Sequence, residues 1–272
     1  RPEDPGHALA NASFIFDYSN PEILEKHIQD HHIQYLAPGC TDVSYATCAL
    51  VAKKLNLPGY DDPRVAELIN NKNLFRNLSK THSYPIPSFT DDLKSYKHIK
   101  FPALLKPIDS FSGRGIQYFK NAHDFELFLG QQGLTLFNHK WILEEHIEGP
   151  LFSHSAFLKE GKIIQDFLVR EFCTIYPYQV NSSYLSINLE AKLTKQIRDW
   201  TESIAKDLVL IDGLLHTQLI IKDSNIFLIE SCRRCPGDLY SLLIEKSTGF
   251  EYANWFSMPF TKANSPTTSV SH

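Results

Sequence analysis

Short apolar runs alternate with amphipathic stretches over the first sixty residues of the chain. The apolar runs are short enough for strands, and the longer stretches place their apolar residues near one face, as a helix does. Strands and helices that alternate at this length predict a parallel sheet covered by helices. Strands are predicted at 12–17 and 33–37, and helices at 20–31 and 41–55. We therefore expect a Rossmann-like α/β domain over residues 1–60. Because no Gly-rich turn opens it, we also expect a short strand and helix to precede Arg1.

The pattern of apolar and polar residues changes after about residue 60. A helical, Asn/Lys-rich stretch runs from Pro63 to Thr81 and ends at the breaker string Tyr84-Pro85-Ile86-Pro87. Strands then predominate and indicate an α+β arrangement. They are predicted at 101–106, 116–119, 141–144, 153–158, 163–169, 215–221 and 226–230, with helices at 122–129 and 193–208. Residues 263–272 are rich in Ser and Thr without an apolar period, which predicts a flexible tail.

Composition narrows the class of protein. The chain has 272 residues, 43% hydrophobic, with a net charge of −4, so it has ample core and no basic footprint for nucleic acid. No apolar run approaches the roughly 20 residues that span a bilayer. Cysteines number five, and Cys232 and Cys235 lack a second Cys/His pair that would complete a zinc site. We expect a cytoplasmic protein that binds neither nucleic acid nor a membrane.

The first candidate site is a lysine at the end of an apolar strand, followed by a loop with two glycines. Lys106 ends the strand, and the loop runs from Asp109 to Gly115. Glycine allows backbone N–H groups to approach phosphate oxygens without a Cβ in the way. The donors would be Lys106, Ser110, Ser112 and Arg114 with the backbone of Gly113 and Gly115. A plain hairpin turn with a surface lysine is the alternative interpretation.

The second candidate site is the acidic end of the strand Trp141–Glu144, which continues into Glu145-His146-Ile147. Consecutive acids at the end of an apolar strand are costly to bury without partners. A carboxylate there could accept the amino hydrogen of adenine while the extended backbone reads the ring edge. A solvated strand end is the alternative.

The third candidate site is Glu230, which ends an apolar strand shortly before Arg233 and Arg234. Carboxylate oxygens suit Mg²⁺, and substrate phosphates complete its coordination shell. The planar fork of arginine suits a phosphate or carboxylate and can stabilise a transferring phosphoryl group. A structural ion pair is the alternative.

The order and spacing of these motifs resemble the ATP-grasp superfamily over nearly the whole chain. That resemblance implies the following roles. Lys72, in Asn71-Lys72, and Lys106 would hold the phosphates, and the 109–115 loop would cover them. Glu144, Glu145, His146 and Ile147 would form the adenine hinge, with Glu145 and Ile147 using mainly their backbone. Glu230 would bind magnesium, and Arg234 would lie near the acyl phosphate and act with Lys106 as a catalytic residue.

The chain departs from the family pattern at three positions. Gly149-Pro150-Leu151 stands where the family often has Gly-x-Glu, and Cys232 replaces an asparagine. Gln218 stands where a second metal carboxylate is usual. A glutamine still offers an oxygen to magnesium, whereas a thiol is a poor ligand for that hard ion. Glu230 and Gln218 are therefore the predicted metal ligands, and one or two metals remain open.

A stretch rich in aromatic residues lies between the hinge and the metal strand. Arg170 and Tyr178 belong to it and, with Arg233, are candidates for a substrate pocket. A surface hairpin rich in aromatic residues is the alternative.

The resemblance implies an ATP-grasp fold with a preceding α/β domain (1–60), an N-lobe with the Gly-rich loop (61–145) and a C-lobe with the metal and substrate site (146–262). It also implies ATP and Mg²⁺ as ligands. The expected activity joins a small-molecule carboxylate to an amine, or to a thiol, through an acyl phosphate with release of ADP and phosphate. A bicarbonate-phosphorylating carboxylase and a non-catalytic ATP-binding module are the alternatives. A homodimer is compatible with the sequence.

Overall fold

The computed structural model describes residues 3–108, 113, 115–132 and 141–262. Three predicted phosphate-loop residues, Ser110, Ser112 and Arg114, lie outside the described residues, as does the predicted tail. No described helix combines the length and the apolar character that a transmembrane span requires.

The first part of the chain is helical. Helices α1 (Pro5–Leu9), α2 (Pro21–Asp30) and α3 (Asp42–Leu55) occupy it, the latter two close to their predicted bounds. The Asn20 and Thr41 side chains accept hydrogen bonds from the first turns of α2 and α3 and fix where these helices begin.

The strands predicted at 12–17 and 33–37 were wrong: both segments are free of strand pairing within the described residues. A strand persists only when its backbone groups pair with a neighbour. Their apolar side chains are also partly exposed, with Ile15 at 63% and Tyr35 at 47%. The Rossmann-like sheet expected here is thus not formed by these residues.

The predicted helix over 63–81 is divided in two. Helix α4 (Pro63–Asn70) and helix α5 (Lys72–Thr81) meet at Asn71, whose backbone is extended (φ −86°, ψ 116°). The Asn71 side chain accepts hydrogen bonds from the amides of Asn73 and Leu74. This capping ends one helix and begins the next, so Lys72 lies at a helix N-terminus.

The first sheet has the strand order β1-β4-β2-β3, with antiparallel pairing throughout. A short 3₁₀ segment (Leu93–His98) and helix α6 (Ala122–Gln132) accompany it. Leu105, Phe125 and Leu143 are completely buried between the sheet and these segments. Its strands are β1 (Phe89–Thr90), β2 (Ala103–Pro107), β3 (Gln117–Phe119) and β4 (Trp141–Glu145).

The second sheet is antiparallel with the order β7-β6-β5-β8-β9. Its strands are β5 (Leu151–Lys159), β6 (Lys162–Phe172), β7 (Ser182–Leu185), β8 (Gly213–Lys222) and β9 (Asn225–Cys232). The accompanying helices are α7 (Ala191–Asp207), α8 (Tyr240–Thr248) and α9 (Tyr252–Thr261). The mixed α/β class predicted from the sequence is confirmed.

The two faces of the second sheet differ in character. One face carries apolar side chains that share a core with α7, and Ile69 of α4 joins that core. On the opposite face, apolar residues pack against α8 and α9. The register places several polar side chains on this second face, because alternate residues of a strand share a face. They are Ser153, Ser155, Glu171, His216, Gln218 and Glu230.

Strand β9 carries a β-bulge directly before its last acidic residue. Gln218 pairs with Glu230 and Leu219 pairs with Leu228, so Ile229 is an extra residue on β9. A bulge bends its strand and redirects the neighbouring side chain, and bulges are frequent next to active sites. Here the redirected side chain is that of Glu230.

Candidate functional site

Glu144 lies at the centre of a buried ion-pair cluster. Its Oε2 accepts a hydrogen bond from Arg76 Nε at 2.7 Å, and its Oε1 accepts one from Lys106 Nζ at 2.6 Å. Glu144, Arg76 and Lys106 are only 2%, 3% and 9% exposed. Burial would raise the pKa of Glu144, but the charges of Arg76 and Lys106 outweigh it and lower the pKa to about 2. The cluster therefore carries one excess positive charge at a fixed place, which suits an anionic ligand.

Arg76 connects this cluster to the second sheet. Its Nη2 donates a hydrogen bond to the carbonyl oxygen of Ile229 at 2.7 Å. Ile229 is the bulge residue of β9, so its carbonyl has left the regular ladder. A single guanidinium thus joins β4 of the first sheet to the residue preceding Glu230.

Lys72 lies in the same charged region. It is half-buried as the first residue of α5. The pKa of Lys72 is lowered, mainly because the side chain is buried. The carboxylate of Glu230 raises this pKa, whereas the ammonium of Lys106 lowers it further. Lys72 is therefore within electrostatic range of the other predicted phosphate lysine, Lys106, and of the predicted metal carboxylate, Glu230.

The predicted hinge follows β4 in an extended conformation. The Glu145 amide donates to the Ser88 carbonyl and the His146 amide donates to the Pro102 carbonyl, both at 2.8 Å. The Ser88 hydroxyl donates to Glu145 Oε2 at 2.9 Å. These bonds hold the backbone on both sides, so the hinge is fixed before any ligand arrives.

The His146 ring forms edge contacts with two tyrosines. Its centroid lies 5.4 Å from that of Tyr118 and 6.2 Å from that of Tyr178. Within the described residues, the buried Nδ1 of His146 has no hydrogen-bond partner. Burial, the largest influence, lowers the pKa of His146 and favours the neutral ring. A neutral imidazole with an unused nitrogen suits a polar, uncharged ligand group.

Both predicted loop glycines that the structure describes have left-handed backbones. Gly113 has φ +72°, and a Cβ there would lie 2.9 Å from the Tyr178 Cβ. Gly115 has φ +74°, and a Cβ there would lie 3.0 Å from the Pro107 Cγ. A side chain at either position would be strained and crowded, which explains why this turn uses glycine.

Gln218 is bonded to a carboxylate that the sequence did not single out. Its Nε2 donates a hydrogen bond to Glu171 Oε2 at 2.8 Å. Glu171 is only 5% exposed, and burial is the main reason that its pKa is raised. Gln218 itself pairs with Glu230 on the neighbouring strand and shares its face of the sheet. The two predicted metal ligands are thus adjacent.

Comparison with known proteins identifies the family. The family described as "ATP-grasp domain" matches residues 99–241, more than half of the chain. The chain belongs to the ATP-grasp family. The match includes β2 with Lys106, the hinge, Gln218 and Glu230, and the expected ATP-grasp fold is confirmed.

Individual relatives are more distant. A formate-dependent phosphoribosylglycinamide formyltransferase of Methanocaldococcus jannaschii is 22% identical over 264 residues, which cover 91% of this chain and 65% of that protein. Phosphoribosylglycinamide synthetase from Anaerococcus prevotii superposes with a TM-score of 0.78 at 20% identity, covering 96% of this chain and 66% of that one. An L-amino acid ligase from Bacillus licheniformis has a TM-score of 0.70 at 18% identity, covering 89% and 61%. The chain therefore spans less than two thirds of the curated relative.

Arg234, the predicted catalytic arginine after Glu230, is tied to the first part of the chain. Its Nε donates to Asp42 Oδ1 at 2.7 Å, and its Nη2 donates to Asp42 Oδ2 at 3.3 Å. Asp42 is the first residue of α3. Helix α3 therefore helps to orient Arg234 through Asp42.

Two substrate candidates need correction. Arg233 is buried and bonded to Asp61 Oδ2 at 2.7 Å and to the Leu214 carbonyl at 2.6 Å, so its guanidinium has a structural role. Arg170 donates to the Leu151 carbonyl at 2.5 Å and lies over Phe172, on the face opposite Glu171. The Arg170 guanidinium therefore lies on the face away from Glu230, and the Arg233 guanidinium is occupied by Asp61 and the Leu214 carbonyl. Tyr178, by contrast, lies near both Gly113 and His146.

Sequence reasoning missed Arg76, Glu171 and Asp42. Arg76 follows Lys72 by one helical turn, so an arginine on the buried side of α5, next to Phe75, was a usable signal. Glu171 is an acid near the end of an apolar strand, which is the same sequence pattern that singled out Glu230. That pattern could therefore have identified Glu171 as a candidate site residue. Asp42 stands in a helix first turn, where an acid is ordinary, and gave no signal.

Proposed function

We propose that this ATP-grasp chain binds ATP with Mg²⁺ and transfers the γ-phosphoryl group to a small-molecule carboxylate, which an amine then attacks. The observation that carries the proposal is the chain of hydrogen bonds that joins Lys106, through Glu144 and Arg76, to the residue before Glu230, with Lys72 within electrostatic range of Lys106 and Glu230. Two fixed cations suit the phosphates, and an exposed carboxylate beside them suits a phosphate-bound Mg²⁺.

The residues present fit an ATP-Mg complex. Lys106 uses one ammonium proton on Glu144 and keeps donors for phosphate oxygens. Glu230 is exposed at the end of β9, and the Gln218 carbonyl oxygen is a second hard ligand on the same face. Within the described residues, no group of three His, Cys, Asp or Glu side chains forms a metal site of its own. That is compatible with Mg²⁺, which one or two protein oxygens bind together with phosphates.

Each residue then has a role in the transfer. The backbone of Glu145 and Ile147 would read the adenine edge, with Gly113 and Gly115 in the loop that covers the phosphates. Lys72 and Lys106 would hold the phosphates, and Arg234 would neutralise charge on the acyl phosphate. Bound Mg²⁺ would neutralise charge on the phosphate oxygens during transfer. Phosphoryl transfer from ATP to the carboxylate would give the acyl phosphate and ADP, and the amine would then displace inorganic phosphate, lose a proton and form the amide.

Two properties beyond the site complete the proposal. The substrates would be small molecules, one a carboxylate and one an amine or a thiol.

The five cysteines are free thiols, which favours a reducing compartment such as the cytoplasm.

The test is release of ADP and phosphate from Mg-ATP, screened against pools of small carboxylic acids and amines, with bicarbonate in a separate well. Lys106→Ala is the negative control in every well. Release that requires both a carboxylate and an amine is the expected result. Release with bicarbonate alone would indicate a carboxylase, and nucleotide binding without release in any well would indicate a binding module.

A further inference from the structure

Gln218 presents a specific problem to a metal site. A carboxylate offers a ligand oxygen in either orientation, whereas a side-chain amide offers an oxygen at one end and two N–H donors at the other. An amide turned the wrong way presents its donors to the cation and cannot bind it. Gln218 serves as a Mg²⁺ ligand only if something fixes its orientation.

The structure supplies a residue that does this. Glu171 Oε2 lies 2.8 Å from Gln218 Nε2. An ionised carboxylate only accepts hydrogen bonds, so it selects the nitrogen end of the amide. The oxygen end is then directed elsewhere.

Strand order indicates where that oxygen is directed. In the order β6-β5-β8-β9, Glu171 on β6 and Glu230 on β9 lie on opposite sides of Gln218 on β8. With the amide nitrogen held on the β6 side, the carbonyl oxygen is left for the β9 side, where Glu230 is the register partner of Gln218.

The strand between them permits the contact. Ser153 on β5 is the register partner of Gln218. It is completely buried, and its hydroxyl has no hydrogen-bond partner within the described residues. Its small side chain lets the Glu171 carboxylate reach across β5, which a larger residue would prevent.

The local electrostatics favour a cation. Glu171 is only 5% exposed and lies within electrostatic range of the carboxylates of Asp238 and Glu230. Within the described residues, no lysine or arginine forms an ion pair with Glu171. Three carboxylates therefore act on this end of the sheet, and a bound cation would relieve their mutual repulsion.

We propose that Glu171 is a positioning residue that holds the Gln218 amide with its carbonyl oxygen toward the Mg²⁺ beside Glu230. This assignment rests on the proposed function, because it requires a metal at Glu230. It explains how the chain can use a glutamine where the family resemblance leads us to expect a carboxylate: a carboxylate on β6 orients the glutamine through a hydrogen bond. Partners that orient a ligand in this way commonly influence metal affinity.

The experiment measures Mn²⁺ binding in the presence of ADP, with free Mn²⁺ followed by electron paramagnetic resonance, so that no turnover is needed. Four chains are compared: the unchanged chain, Glu171→Gln, Gln218→Glu and the double variant that exchanges the two residues. Glu171→Gln alone is expected to weaken Mn²⁺ binding roughly tenfold or more, because a Gln–Gln pair no longer selects one amide orientation.

In the Gln218→Glu background the expectation reverses. There Glu171 faces a like charge, and Glu171→Gln supplies an amide donor to the new carboxylate ligand. The exchanged double variant should therefore bind Mn²⁺ at least as tightly as the unchanged chain. It also keeps the test valid if Glu171→Gln alone does not fold.

Two results would overturn the assignment. Equal weakening by Glu171→Gln in both backgrounds would mean that Glu171 acts on the cation through its own charge. Unchanged affinity in the native background would mean that Gln218 needs no positioning. If the unchanged chain binds no Mn²⁺ with ADP, the proposed function itself fails, which is a distinct outcome.

Discussion

The Nη2 of Arg76 donates a 2.7 Å hydrogen bond to the carbonyl oxygen of Ile229, the residue directly before Glu230. The same guanidinium binds Glu144, which in turn binds Lys106. The predicted phosphate lysine, Lys106, is thus connected through two buried side chains to the residue before the predicted metal carboxylate, Glu230. A shift of either sheet would break a bond of Arg76, so the spacing between phosphate and metal positions depends on it.

Replacing Arg76 with lysine should uncouple these positions. A lysine keeps the positive charge but replaces the rigid planar fork with a single ammonium on a flexible stem, which is not preorganised to bond Glu144 and the Ile229 carbonyl together. We expect kcat for ATP turnover to fall by about tenfold or more, equivalent to roughly 1.4 kcal/mol or more of transition-state stabilisation. Arg198→Lys, at an arginine whose side chain is 45% exposed, is the matched control. Steady-state ADP release checks this, and an unchanged kcat for Arg76→Lys would contradict the coupling.

Lys106→Ala should abolish ATP turnover. It removes the ammonium that we assign to the phosphates, and loss of one such fixed donor typically costs about a hundredfold or more in rate. Glu144 keeps its bond to Arg76, so the fold should survive. The control is Lys195→Ala on α7, whose side chain is 75% exposed. Near-normal phosphate release from folded Lys106→Ala would show that the phosphates bind elsewhere.

Because of Glu144, the free energy of unfolding should depend on pH in the acidic range between about pH 4.5 and pH 2. Its pKa in the folded chain is lowered from the ordinary 4.5 to about 2, so the folded state binds fewer protons than the unfolded state between those values. Its stabilisation is complete above about pH 4.5 and is lost as the pH falls toward 2, on the order of 3 kcal/mol in total.

The measurement is the free energy of unfolding in urea at several pH values for the unchanged chain and for Glu144→Gln. The other carboxylates titrate in both chains, so the difference between the two isolates Glu144. That difference should shrink as the pH falls from about 4.5 toward 2. A difference that stays constant over this range would show that folding does not lower the pKa of Glu144, and the prediction would be wrong.

How much the sequence could predict depends on the distance between partners along the chain. Lys106 and Glu230 were predicted as site residues because each ends a predicted apolar strand, which is a local pattern. The bond from Arg76 to Glu144 joins residues 68 apart, and no local pattern encodes it. The bulge at Ile229 depends on the register between two strands, which alternation alone does not fix. The segment 12–17 was predicted as a strand because apolarity is local, whereas strand pairing is not.

The same substitution should affect different properties at the adjacent arginines Arg233 and Arg234: stability at Arg233 and activity at Arg234. Arg233 is 3% exposed and forms a buried pair with Asp61, so Arg233→Lys should lower the free energy of unfolding, by about 3 kcal/mol if the pair is lost. It should leave KM for ATP unchanged in the molecules that remain folded. Arg234→Lys should instead lower kcat, by roughly tenfold, because an ammonium cannot reproduce the bidentate contact with Asp42 and still face the acyl phosphate.

Urea unfolding and ADP release, measured on both variants at a temperature where each is folded, separate the two roles. Each variant is the control for the other, since both exchange the same residue types one position apart. The decisive comparison is the ratio of the two effects, because a general loss of structure would lower stability and kcat together. A loss of kcat in Arg233→Lys with full stability would return that arginine to the substrate pocket, and our correction would be wrong.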